Sequence, residues 1–207
     1  MKLVGLLAVA ALLSVGAGCD SKEPAPLAKP SAPSSAGPVA DPSAGPQPST
    51  SASGTPASPN HFTVDGTGVY QLGAKLADLQ TAGQLADVKS GAETCAQNTT
   101  AKGTGAWSDV RVSARPDGKI YLVVNRSATI PTPSGAWLGN TLAALQSIYG
   151  TIGEELTKGG STAYLVKTTS GRGILFDLDP GTKKVIAMIA GDATYLKSSY
   201  LGGTDYC

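Results

Sequence analysis

Leu72-Gly73-Ala74-Lys75-Leu76-Ala77-Asp78-Leu79-Gln80 returns 66 residues later as Leu138-Gly139-Asn140-Thr141-Leu142-Ala143-Ala144-Leu145-Gln146, with six of the nine positions identical. Similarity at a fixed offset is the mark of one supersecondary unit used twice. Each copy reads as a short helix. In the first, Leu72, Leu76 and Leu79 fall at helical spacing and Gly83 ends the run. In the second, Leu142, Leu145, Ile148 and Tyr149 do the same, after a potential cap at Asn140 and before a stop at Gly150.

A hairpin follows each copy. Val110, Val112 and Ala114 alternate with Asp109, Arg111 and Ser113, then Arg115-Pro116-Asp117-Gly118 supplies a turn, then Ile120, Leu122 and Val124 alternate again. Downstream, Ile174, Phe176 and Leu178 lead through Asp179-Pro180-Gly181-Thr182 to Val185, Ala187 and Ile189, and a further strand is expected at Thr162 to Lys167. The expected fold class is α+β, with two helix-then-antiparallel-strand repeats, about 62–130 and 131–207, whose helices pack on one face of a sheet.

This order of elements resembles the β-lactamase inhibitor protein family and related small proteins with a tandem helix-plus-sheet repeat. Gly73 and Gly139 match the family's opening glycine, and Ala82-Gly83 and Tyr149-Gly150 match its helix end. The Met-Thr that commonly follows the opening glycine is absent, and the second repeat lacks an internal cysteine. The resemblance implies the shared fold and, further out, inhibition of a secreted or wall-associated hydrolase.

Before residue 60 the composition is different. Met1 to Gly18 carries one charge at Lys2, an apolar run through Leu3, Val4, Leu6, Leu7, Val9, Leu12, Leu13 and Val15, and a small-residue end, the layout of a secretory signal. The run is shorter than the ~20 residues a membrane-spanning helix requires. Val15-Gly16-Ala17-Gly18-Cys19 resembles the cleavage site of a bacterial lipoprotein precursor, although Gly16 stands where Leu is commonest. That resemblance implies acylation of Cys19 and a partner in the lipid bilayer, the chain being held on the extracytoplasmic face of the membrane; two acyl chains anchor where one is marginal. The alternative is a plain secreted protein cleaved at the same small residues. From 19 to 59 the chain is Pro-, Ser- and Ala-rich, with ten of its 14 prolines between Pro24 and Pro59. Such a segment buries too little apolar surface to order itself and is expected to be a stalk. The folded part is therefore expected at 60–207.

Chemistry is sparse. Lys+Arg number 16 and Asp+Glu 15, which removes the basic footprint of a nucleic-acid partner. With Cys19 set aside, Cys95 and Cys207 form an even pair in an exported chain, most simply one disulfide. A metal site lacks ligands, because the two cysteines and His61 leave a fourth to be invented. His61, the single histidine, sits at the junction of stalk and domain, a poor place for a catalytic base. Asp177 and Asp179 would need one member buried with a raised pKa to do acid–base work. No cofactor motif is present, and no catalytic residue is assigned.

Side chains alternate faces along a strand. With Val110, Val112 and Ala114 inward, Trp107, Asp109, Arg111 and Arg115 share the other face, joined by Tyr121 and Asn125. Trp107, Asp109, Arg111 and Tyr121 are thus the candidate partner-binding residues; the competing reading has Trp107 and Tyr121 covering the seam between repeats. The functional expectation is a non-catalytic extracytoplasmic binding domain for a protein or cell-wall ligand. An extracytoplasmic enzyme using carboxylates is the further alternative.

Overall fold

The computed structural model describes residues 60–92, 95–204 and 206. The signal, Cys19, the 19–59 segment and Cys207 lie outside the described residues.

The described chain forms β1 (Gly66–Thr67), β2 (Tyr70–Gln71), α1 (Leu76–Thr81), β3 (Leu85–Ala92), β4 (Cys95–Gly103), β5 (Val110–Ala114), β6 (Ile120–Asn125), α2 (Leu142–Tyr149), β7 (Gly153–Lys158), β8 (Ser161–Lys167), β9 (Arg172–Leu178), β10 (Val185–Asp192) and α3 (Ala193–Gly202). β1 and β2 make a small sheet of their own. The other eight strands form one antiparallel sheet in the order β3-β4-β5-β6-β10-β9-β8-β7.

This corrects the expectation of two discrete helix-then-strand repeats. The sheet is continuous because β6 pairs with β10, with Val123 opposite Ala190, Val124 opposite Ile189 and Asn125 opposite Met188. The sequence echo marks equivalent backbone bonds in the two halves of that sheet. Gly73 N donates to Ile120 O at 2.7 Å and Ile120 N to Ala74 O at 2.9 Å; Gly139 N donates to Val185 O at 2.8 Å and Val185 N to Asn140 O at 2.9 Å. Gly73 and Gly139 hold φ of 86° and 93°, a left-handed conformation that favours glycine.

The helices do not share one face either. Leu76 and Leu79 of α1 and Leu145 of α2 pack with Phe62, Tyr70, Val112, Val123, Phe176 and Met188 in the larger core. Leu196 of α3 packs on the opposite face with Leu122, Leu165, Leu175 and Ile189. Removing a leucine such as Leu145 or Leu196 from water is worth roughly 1.5–3 kcal/mol, so each face is held by its own helix. Small residues bring α3 close: Ala163 and Ala187 lie in its cluster, and a Cβ on Gly191 would stand 3.3 Å from Leu196 Cδ2.

Besides the shifts between β3 and β4, strand alternation fails at two matched places. Ser113 pairs with Leu122 and Ala114 with Ile120, leaving Tyr121 as an extra residue; Ile186 is extra in the same way between the Val185–Leu178 and Ala187–Asp177 pairs. A bulge shifts the following side chains to the other face. Ile120 therefore faces the larger core and Leu122 the smaller one. Asn125, expected outward, is fully buried, accepting from Ser127 N at 2.9 Å and donating to Ile130 O at 3.1 Å. The cap of α2 is Thr141, whose Oγ1 accepts from Ala144 N at 3.3 Å, while Asn140 Oδ1 accepts from Trp137 N at 2.9 Å.

The expectation of a membrane anchor finds no element here: no helix among the described residues is long and apolar enough to cross a membrane, the longest being the ten residues of α3. Cys95, at the start of β4, is disulfide-bonded.

Gly73→Ala and Gly139→Ala are each expected to lower the unfolding free energy by about 1–2 kcal/mol, from the left-handed backbone alone. Urea denaturation followed by far-UV circular dichroism measures it, and the side-chain space at both positions is open.

Candidate functional site

α3 lies against the β7–β10 half of its sheet face, through contacts with each of those strands. The β3–β6 half of the same face is left as a groove of about 630 Å³, lined among others by Lys89, Lys102, Arg111, Arg126, Asp87 and Asp177. Its charge is uneven. Lys102 and Arg111 are direct cross-strand partners, a like-charge pairing that costs stability unless it is compensated. Compensation comes from β3: Asp87, at a bulge and with φ of 53°, meets Lys102 Nζ at 2.6 Å. The Lys102 hydrogen bond and charge hold the Asp87 carboxyl below its ordinary pKa.

Arg111 and Arg126 form no ion pair among the described residues. Arg126 follows the Asn125–Met188 pair and Asp177 pairs with Ala187, so the two stand on either side of that small residue. Half-burial pushes the Asp177 pKa up, and the Arg126 charge opposes the shift without cancelling it. A second cavity, of about 340 Å³, adjoins the groove; Asp177 and Tyr206 line both, with Lys158, Ser199 and Tyr200 on the far side. Burial raises the Tyr200 hydroxyl pKa, and the Asp177 charge adds to that.

Tyr121 marks the boundary between the groove and α3. Its hydroxyl accepts from Asn98 Nδ2 at 3.0 Å and donates to Tyr206 O at 2.9 Å, its ring meets Tyr195 edge-on at 5.7 Å, and the Arg115 guanidinium lies 5.3 Å above it. Desolvation, reinforced by Tyr195, pushes its pKa up to about 12.

The four candidate binding residues are therefore not one patch. Arg111 is exposed in the groove and Tyr121 packs at its border. Trp107 is not on β5; it lies in a 3₁₀ turn against the larger core, tilted on Tyr70 at 5.9 Å. Asp109 is exposed just before β5, its carbonyl accepting from Arg126 N at 3.0 Å. Lys89, Lys102 and Arg126 escaped the sequence reading, because β3 and β4 are polar strands and Arg126 lies past a bulge. Asp179 is bound into its own turn, accepting from Thr182 N at 2.7 Å and Gly181 N at 3.2 Å, which lowers its pKa. It does not join Asp177 in an acid–base pair. Glu154, also lowered in pKa, is held by Lys197 and Lys167. No group of three or more potential metal ligands occurs among the described residues.

No protein-family model and no curated protein matches the chain. Among solved structures it is similar to an extracellular protein containing an SCP domain from Bacillus anthracis, at 10% identity and TM-score 0.41, over 61% of this chain and 46% of that one. It is also similar to the uncharacterized protein YfeY from Escherichia coli, at 17% identity and TM-score 0.43, over 63% of this chain and 99% of that one. A cysteine-rich secretory protein from Staphylococcus aureus aligns at 14% identity and TM-score 0.38, over 63% of this chain and 46% of that one. The chain thus spans about half the length of the Bacillus and Staphylococcus proteins. The resemblance to β-lactamase inhibitor proteins is corrected: the continuous eight-stranded sheet replaces the discrete repeats on which it was drawn. The lipoprotein-precursor resemblance of the first 19 residues falls outside the described chain and gains nothing from these alignments.

Asp177 gives a signed expectation. A carboxyl whose folded pKa is raised weakens the fold when ionised, a penalty present above its folded pKa and gone below its unfolded one. Asp177→Asn is expected to be more stable than the parent at pH 7, and the gain to vanish as pH falls through the carboxyl range, as read by thermal unfolding at a series of pH values. For Tyr121, ultraviolet titration is expected to count the same number of tyrosines ionising below about pH 11 in the parent and in Tyr121→Phe, the parent's additional one appearing only above that pH.

Proposed function

We propose that the protein is a non-catalytic extracytoplasmic binding module whose ligand lies on the uncovered half of the sheet. One observation carries this reading: α3 closes its face over β7–β10 only, and the β3–β6 half of that face is a groove in which Arg111 and Arg126 form no ion pair among the described residues. A structural role alone gives no reason to keep Lys102 opposite Arg111 in the open, since like charges across a strand pair destabilise it. The disulfide at Cys95 fits an oxidising compartment outside the cytoplasm. Acylation of Cys19, with the 19–59 segment as spacer, is the means proposed for holding the domain at the outer face of a membrane; mass spectrometry of membrane-extracted protein tests it.

Catalysis by carboxylates draws no support from the site, because Asp177 stands without a second carboxylate free to share acid–base work. The test of the binding reading fills the groove. Thr100 lines it on β4, and Trp is tolerated in strands. Thr100→Trp is expected to abolish sedimentation of the purified domain with cell envelopes of the producing organism while leaving its melting temperature within a few degrees. Unchanged sedimentation would overturn the assignment of the face.

A further inference from the structure

The chemistry of the groove narrows its ligand. Lys102 and Arg111 are direct cross-strand partners, and Arg126 stands diagonally from Arg111, two residues past the Arg111–Val124 pair on the next strand. Diagonal neighbours of this kind are about 7–8 Å apart at Cα, and direct ones about 5 Å. Lys89 adds a fourth cation from β3. Against these stand Asp87, already engaged by Lys102, and Asp177 at the far border, so that the described lining residues are net positive.

Among the described residues a single aromatic one, Tyr206, lines it, at the border it shares with the second cavity. Trp107 packs on the larger core, Tyr121 is covered by Arg115 and Tyr195, and no tryptophan or phenylalanine lines the groove. Protein interfaces concentrate binding energy in Trp, Tyr and Arg seated in desolvated pockets, and single-stranded nucleic acids are held by bases stacked on aromatic rings. The groove offers a row of cations with one ring at its border and, among the described residues, no run of rings for successive bases, over a floor that includes Val124, Leu122 and Ser113. A linear phosphate carries its charges on the chain itself, so successive charges meet a row of cations without the ordering of side chains that a polyglutamate requires.

We infer that the groove binds a linear phosphate polyanion without bases, whose successive phosphates lie across β4, β5 and β6 on Lys102, Arg111 and Arg126. The inference rests on the groove being the binding face and specifies what occupies it.

Inorganic polyphosphate is the probe, with poly-L-glutamate of matched charge as the carboxylate comparison, both titrated calorimetrically into the full domain. Polyphosphate is expected to bind, and its affinity to fall roughly 20- to 50-fold between about 50 and about 200 mM salt, as three to four phosphate contacts require. Arg111→Gln and Arg126→Gln are each expected to weaken binding several-fold and to reduce the salt slope by about one contact. Asp177→Asn is expected to strengthen it, and Lys183→Gln, on the turn before β10, to leave it unchanged. Circular dichroism of these surface variants confirms that each is folded. Parental affinity in the Arg111→Gln/Arg126→Gln double variant, or tighter binding of poly-L-glutamate than of polyphosphate, overturns the inference. Absence of polyphosphate binding alongside loss of envelope sedimentation in Thr100→Trp overturns the ligand class and leaves the binding face standing.

Discussion

The architecture depends on the pairing of β6 with β10. Each flanking set of four strands is a meander that hydrogen-bonds only to its own neighbours, and each ends on one of these two strands. The Val123–Ala190, Val124–Ile189 and Asn125–Met188 pairs merge them, so that one core runs beneath both α1 and α2. Asn125, buried at the seam, is satisfied by Ser127 and Ile130 and fixes the chain leaving β6. A buried amide left unbonded costs free energy, and its complete bonding makes the seam specific in register as well as apolar.

The two halves joined there are not covered alike. The halves are built alike as far as their opening glycines and bulges, yet only the second is followed by a helix that folds back over the other face. Covered strands carry Ala163, Leu165, Leu175 and Ala187 there; uncovered ones carry Thr100, Lys102, Arg111 and Ser113. The side chains on each half match what lies above them, helix or solvent.

Much of this was legible in the sequence, and its limits are physical. The echo at Leu72 and Leu138 locates α1 and α2, and the Pro-Asp-Gly and Asp-Pro-Gly turns locate two hairpins. β3 and β4 gave no signal because the sequences LADVKSGA and CAQNTTAKG have little apolar alternation, being wet on one face and at an edge. Facing went wrong after Ile120 and Val185, since a bulge of one residue inverts everything beyond it. The site suffered most from this. Arg111 was placed correctly because it precedes the bulge, whereas Asn125 turned out to be core and Trp107 to belong to a 3₁₀ turn. Discrete repeats were expected because the echo is local, and the strand pair that joins the halves lies far apart in the chain.

The long separation of the seam strands also orders events in time. Antiparallel neighbours within a meander meet across short turns, but Val123 finds Ala190 only after the intervening helix and three further strands exist. Loop closure of that span is entropically slow, and topologies dominated by such contacts fold late. The first meander can complete its apolar face only once β10 has joined β6. Its second face, polar with Thr100, Lys102, Arg111 and Ser113, offers little apolar surface on which copies of the meander could stack.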